Sequence, residues 1–138
     1  MLFRSHIKVD GTNLYVADTF NNRIRQIVID NGTVTTLAGD GSPGSTDHAT
    51  GTSASFNDPT GITTDGTNLY VADRGNKKVR QIVIDNGTVT TLAGTGGTGS
   101  SDGAGGSEAT FRQPAGITTD GIYLYVIEQG NHLIRKID

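Results

Sequence analysis

The sequence predicts an all-β fold built from repeated blades of four antiparallel strands, a β-propeller. Three observations carry that expectation. The stretch from Asp10 to Gly39, DGTNLYVADTFNNRIRQIVIDNGTVTTLAG, returns almost letter for letter from Asp65 to Gly94, and a weaker copy runs from Asp120 to Asp138. Both offsets are 55 residues. A fixed period of this size marks a repeat architecture, in which each unit buries its apolar surface by stacking on the next. Within the unit, β-branched residues and Tyr recur in short runs and no helix-length amphipathic pattern intervenes. Between the runs stand Asp-Gly and Asn-Gly pairs, the strongest short-range hairpin signals.

The second unit shows the elements in order. The inner strand is read as Gly61 to Thr64, the second strand as Asn68 to Ala72, the third as Lys78 to Ile84 and the outer as Thr88 to Leu92. Asp65-Gly66 joins the first two, and Asn86-Gly87 joins the last two, with positive φ angles expected at a tight turn. A long Gly/Ser/Thr stretch follows, Gly39 to Thr60 in the first unit and Gly94 to Ala115 in the second. It ends both times in Ala-x-Phe-x-x-Pro: Ala54, Phe56, Pro59, then Ala109, Phe111, Pro114. A flexible linker needs no fixed Phe and Pro. The stretch therefore reads as the crossing from one blade's outer strand to the next blade's inner strand, with the Phe anchored between blades.

The expected organisation is a first blade over 1–55, a second over 56–110 and an incomplete, three-stranded third over 111–138. Met1 to His6 aligns with Phe-x-x-Pro-x-Gly of the other units and reads as a degenerate lead-in. Two full blades and most of a third leave an apolar sheet face uncovered at each end. Closed propellers take about four to eight blades. The expected closure is a homodimer, two chains head to tail making a six-bladed ring; the alternative reading is a fragment of a longer propeller.

The joint pattern LYVAD, N-x-R-[IV]-R-x-I, G-x-V-T-T-L-A-G, a Gly-rich loop and A-x-F-x-x-P-x-G-I-T resembles the NHL repeat. Its central motif stands at Asn21-Asn22-Arg23-Ile24-Arg25, at Asn76-Lys77-Lys78-Val79-Arg80 and at Asn131-His132-Leu133-Ile134-Arg135. Lys78 and Leu133 replace the Arg that Arg23 supplies. The resemblance covers almost the whole chain and implies a propeller, most often six-bladed.

Composition excludes several classes. There is no Cys, hence neither a disulfide framework nor a Cys-based zinc site. The formal net charge of −3 argues against a broad nucleic-acid surface, which needs a concentrated basic face. No apolar run is long enough to span a membrane, and MLFRSHIKVD lacks a signal peptide's apolar core. A soluble chain of unassigned compartment is expected.

Individual motifs add little chemistry. Both Gly-rich stretches spell G-x-G-x-x-G, Gly39 to Gly44 and Gly94 to Gly99. A dinucleotide fingerprint needs a helix start after the glycines, and a Ser/Thr/Gly loop follows instead. Gly96 to Asp102 departs by one residue from calcium-binding β-helix repeats and lacks their tandem array. His6, His48 and His132 occupy unrelated repeat positions, so no metal or other cofactor is expected. Asp18, Asp73 and Glu128 close the second strand of each unit. They read either as carboxylates ringing a channel mouth or, more simply, as partners of the blade's own Arg25, Arg80 or Arg135.

Differences between the first two units concentrate in 19–24 against 74–79 and in 40–60 against 95–115. In a four-stranded meander both segments leave from the same end of the blade and rim one mouth of the propeller. Loops on a rigid scaffold are where binding usually lives. The candidate binding residues are therefore Thr19, Phe20, Asn22, Arg74, Lys77, Lys78, Gln129 and His132. The expected function is a non-catalytic scaffold presenting this mouth to a protein, peptide or glycan. The competing reading is a propeller hydrolase or lyase with a metal on the central axis, for which the inner strands supply no carboxylate, Asn or His.

Overall fold

A computed structural model describes residues 5–138. Of the expected lead-in, Met1 to Arg4 lie outside the described residues. Three antiparallel sheets follow one another along the chain. The first holds β1 (Ile7–Val9), β2 (Asn13–Asp18), β3 (Arg23–Val28) and β4 (Val34–Ala38). The second holds β5 (Pro59–Thr64), β6 (Asn68–Asp73), β7 (Lys78–Val83) and β8 (Val89–Ala93). The third holds β9 (Pro114–Thr119), β10 (Leu124–Glu128) and β11 (Leu133–Ile137). Each is a simple meander, in the strand order of the chain. Relative to the sequence reading, the inner strand starts two residues earlier, at Pro59 rather than Gly61, and the third strand ends at Val83.

Turn chemistry explains the hairpins and corrects one expectation. Gly32 and Gly87 take φ of +72° and +74°, but Asn31 and Asn86 do not adopt positive φ. The turn is wider than a two-residue hairpin. Val28 N donates to Thr33 O at 2.9 Å and Gly32 N to Val28 O at 2.8 Å, which places four residues in the bend. The Asn side chain works differently: Asn31 Oδ1 accepts from Thr33 N at 2.9 Å, and Asn86 Oδ1 from Thr88 N at 3.0 Å. An Asn that bonds the backbone two residues on mimics a turn without needing a left-handed φ.

The first hairpin of each blade carries a latch the sequence reading missed. Asp10 accepts the Thr12 and Asn13 amides on Oδ1, at 2.8 and 2.7 Å, and the Tyr15 hydroxyl on Oδ2 at 2.8 Å. Asp65 with Tyr70 and Asp120 with Tyr125 repeat it. Burial pushes the Asp10 carboxyl up, but the Asn13 and Thr12 amides and the Tyr15 hydroxyl outweigh it and hold it at about 2. Burial and the bond to Asp10 push the Tyr15 phenol up to about 12.

The sheets stack face to face through apolar side chains. Tyr15, Ala17 and Ile24 of the first blade meet Ile62, Leu69, Val71 and Ile82 of the second in one buried cluster. Val79 and Ala93 of the second meet Ile117, Leu124 and Val126 of the third in another. Phe56 lies in the first cluster and Phe111 in the second, at 0% and 1% exposure. The crossing Phe is thus held between blades, as the sequence led one to expect. The inner strands approach closely: a Cβ on Gly61 would stand 2.2 Å from the carbonyl oxygen of Ala115. Only glycine fits there.

Candidate functional site

The blade-to-blade crossing does more than connect. It runs along the outer edge of the next blade, where His48 N donates to Val89 O at 3.1 Å and Val89 N to His48 O at 2.9 Å. Asp47 then turns inward. Its carboxylate accepts the Thr91 amide at 2.9 Å and Arg80 Nη2 at 2.6 Å. Arg80 is fully buried, although an arginine is seldom found so unless its charge is paired. Its Nη1 bonds Asp73 Oδ2 at 2.8 Å and Ser55 O at 3.0 Å, its Nη2 bonds Thr46 O at 3.0 Å, and its guanidinium lies over the Phe56 ring at 5.0 Å. Carboxylates of two different elements therefore clamp one guanidinium, with the forked donor geometry arginine supplies.

The third blade repeats the clamp. Arg135 bonds Glu128 and Asp102, each at 2.5 Å, and lies over Phe111 at 5.3 Å. In the first blade Arg25 stands 3.6 Å from Asp18, and both side chains are about a quarter to a third exposed. Asp73 and Glu128 are fully buried and engaged. Beyond the Arg, Asp73 accepts Asn57 N at 2.8 Å and Asn76 Nδ2 at 2.7 Å, and Glu128 accepts Arg112 N at 2.8 Å and Asn131 Nδ2 at 2.5 Å. Burial pushes the Asp73 carboxyl up, against the pull of the Asn57 amide, Asn76 and Arg80. These groups sit in the pairing with the blade's own arginine, the simpler of the two alternatives above. Sequence reasoning missed Asp47 and Asp102 as clamp residues, although they share one repeat position and so left a findable signal.

The turn between the second and third strands and the crossing lie against each other at one end of the blade. Asn22 takes a left-handed φ of +52°, and its carbonyl packs so tightly under Gly39 that a Cβ there would stand 2.4 Å from the oxygen. Asn22 Oδ1 accepts the Asp58 amide at 3.0 Å, and Arg23 Nη2 donates to Asp40 O at 3.1 Å. In the second blade Arg74 pairs with Asp58 at 2.7 Å, Lys78 Nζ bonds Ser45 Oγ at 2.7 Å, and Lys77 Nζ lies 3.5 Å from Gly96 O. Lys77 and His132 repeat the left-handed conformation of Asn22, at φ of +56° and +57°.

The candidate residues divide by exposure. Phe20, at 65%, Gln129 and His132 are exposed. Asn22, Arg74, Lys77 and Lys78 are half-buried. Thr19 is different: it is 2% exposed, and its hydroxyl donates to Pro59 O of the next inner strand at 2.8 Å. It seals one blade to the next instead of facing a ligand. Both G-x-G-x-x-G stretches continue as irregular loop, without the helix a pyrophosphate would need. Among the described residues no three His, Asp or Glu side chains converge.

Stacked meanders with inner strands adjacent and each crossing laid on the following blade define a segment of a β-propeller. No protein-family model matches the chain. Over 136 residues it is 35% identical to human NHL repeat-containing protein 2, an alignment covering 91% of this chain and 19% of the relative. Its repeats are of the NHL type, on a β-propeller fold. It spans about a fifth of the length of these curated relatives. Among solved structures it is similar to an auxiliary nutrient binding protein from Bacteroides thetaiotaomicron VPI-5482, with TM-score 0.83 and 25% identity over 97% of this chain and 37% of that one. It also shares its fold with a chain of the nidogen/laminin complex, at TM-score 0.67 and 21% identity over 95% of this chain and 42% of that one.

Proposed function

We propose that the chain is a non-catalytic binding scaffold whose loop-rich mouth holds a protein, peptide or glycan, and that two copies complete a six-bladed ring. The observation that carries the reading is the contrast within the mouth. Its backbone is tied down by the bonds of Asn22, Asp58 and Asn76, yet Phe20, Gln129 and His132 project into solvent from that fixed frame. An exposed aromatic on a rigid loop offers large contact area at little entropic cost. The likeness to a nutrient binding protein supports binding as the activity. The competing axial-metal enzyme draws less support, because Asp73 and Glu128 are buried and already engaged with arginine.

Glycan and peptide arrays probed with the chain, followed by calorimetry, test the reading. The expected result is a ligand whose affinity falls at least tenfold in Phe20→Ala while the melting temperature holds. A stoichiometric metal found by elemental analysis, with binding indifferent to Phe20, overturns it in favour of the enzyme.

A further inference from the structure

Charge is divided between the two ends of the blades. The turns joining first to second and third to fourth strands lie at one end, and they carry Asp10, Asp30, Asp65, Asp85 and Asp120. Among the described residues none of these carboxylates is in an ion pair, and Lys136 at the same end pairs with Asp138. The end that holds the turn between second and third strands has the opposite sign. Arg23, Lys77, Lys78 and Arg112 stand there, and among the described residues none of them is in an ion pair either. Arg23 and Lys77 reach the carbonyl oxygens of Asp40 and Gly96, and Lys78 the hydroxyl of Ser45, all neutral partners. Asp40 and Glu108 of the crossings offset these cations in part. A chain of net charge −3 is thus polarised along its blades.

Three of the cations share one seam. Lys78 runs beside Gly96, where a Cβ would stand 3.6 Å from its Cε. The loop over 96–99 is tied to the third blade by Asn131 Nδ2, which donates to Gly99 O at 2.7 Å. Next to Asn131, Gly130 lies so close to Arg112 that a Cβ there would stand 2.5 Å from its Cγ. Lys77, Lys78 and Arg112 therefore line the junction of the second and third blades on a backbone these contacts hold. Beside it the chain already seats a carboxylate: Asp58 Oδ2 accepts Arg74 Nη1 at 2.7 Å, and Arg74 Nε is buried without a partner.

We propose that this seam binds an acidic peptide segment, whose Asp or Glu side chains pair with Lys77, Lys78 and Arg112. The inference rests on the mouth reading above and names its ligand. Opposed potentials steer such a partner to this end and away from the acidic one. An oligonucleotide fits the seam less well. Single strands are held by successive aromatic rings beside the basic groups. The repeat position of Phe20 is Gly75 in the second blade and Gly130 in the third, where side chains would collide with Asn57 and Arg112.

Fluorescence anisotropy of the full 138-residue chain with a labelled decapeptide of alternating Glu and Gly tests this. The same peptide with Gln for Glu, a labelled oligouridylate and a labelled heparin oligosaccharide serve as rival probes. Lys77→Asn and Lys78→Leu install residues that other blades carry at the same repeat positions, as at Asn22 and Leu133, so the fold should hold. Arg112→Gln removes the third charge, and Lys136→Gln removes one at the opposite end. The expected result is binding of the Glu peptide, and not of the Gln peptide, that weakens with added salt. Each mouth variant should weaken it about two- to fivefold and the triple variant about tenfold, as exposed ion pairs do, while Lys136→Gln leaves it unchanged. Failure of the Glu peptide to bind, equal binding of the two peptides, or indifference to the three mouth variants overturns the acidic ligand. Tighter binding of oligouridylate or heparin, lost in the same variants, overturns the peptide. In each case the mouth reading stands if a ligand from the arrays still depends on Phe20, and falls too if no ligand does.

Discussion

Arg80 Nη1 donates to Asp73 Oδ2 across 2.8 Å with neither side chain exposed, and the two residues lie diagonally across adjacent strands of one blade. Two desolvated charges are stable only because each has further partners: Asp47, Ser55 O and Thr46 O on the arginine, Asn57 N and Asn76 on the aspartate. The crossing from the preceding blade supplies Asp47, Thr46 and Ser55. The pair thereby locks a connection to a blade as well as strand to strand.

Removing one partner should leave the other charge stranded. Asp73→Ala is expected to destabilise the fold by about 3–5 kcal/mol, the usual loss on breaking a buried pair. Asp18→Ala, at the same repeat position but with a longer and partly exposed ion pair, should cost only about 0–1 kcal/mol. Urea denaturation of both variants checks the contrast; equal losses would mean the clamp adds nothing to the second blade.

The crossing Phe should be as costly to remove. Phe111→Ala is expected to lose about 3–5 kcal/mol, since it empties a cluster shared by two blades and uncovers Arg135. Calorimetric melting is the measurement, and a loss below about 1 kcal/mol would contradict the packing role.

Glycine substitutions separate backbone strain from close approach. Gly87→Val should lower stability because a β-branched residue is disfavoured at φ of +74°. Gly61→Ala should be worse although its φ is ordinary, since the new methyl would overlap the Ala115 carbonyl of the next blade. If melting temperatures rank the other way, the inner strands are farther apart than described.

The Asp10–Tyr15 latch predicts a pH dependence at both extremes. The Asp10 pKa is depressed in the folded state, so its stabilisation is complete above the ordinary carboxyl range and is lost as pH falls toward about 2. The Tyr15 pKa is raised, so its contribution is complete below about 10 and is lost as pH rises toward about 12. Tyr15→Phe should shrink the alkaline step, to which Tyr70 and Tyr125 also contribute, and move the Asp10 carboxyl resonance in an NMR titration back toward the ordinary range. A titration of Asp10 unchanged by the substitution would show that the backbone amides alone hold it.

What the sequence by itself determined is what depends on nearest neighbours along the chain. The 55-residue period, the Asp-Gly and Asn-Gly bends and the β-branched runs define four strands per blade, because turn chemistry and strand alternation are local. Phe56 and Phe111 were legible as anchors for the same reason: two copies of one pattern point to one environment. Tertiary structure decided what depends on the neighbouring blade. Thr19 stands in a variable loop beside Phe20, yet it is buried because Pro59 of the next inner strand lies over it. Asp47 lies 26 residues ahead of Asp73 in the chain, and only the path of the crossing over the second blade brings both onto Arg80. Burial of Ile24 and exposure of Ile134, the same residue at the same repeat position, have one physical cause: a following blade covers the first and none in this chain covers the second.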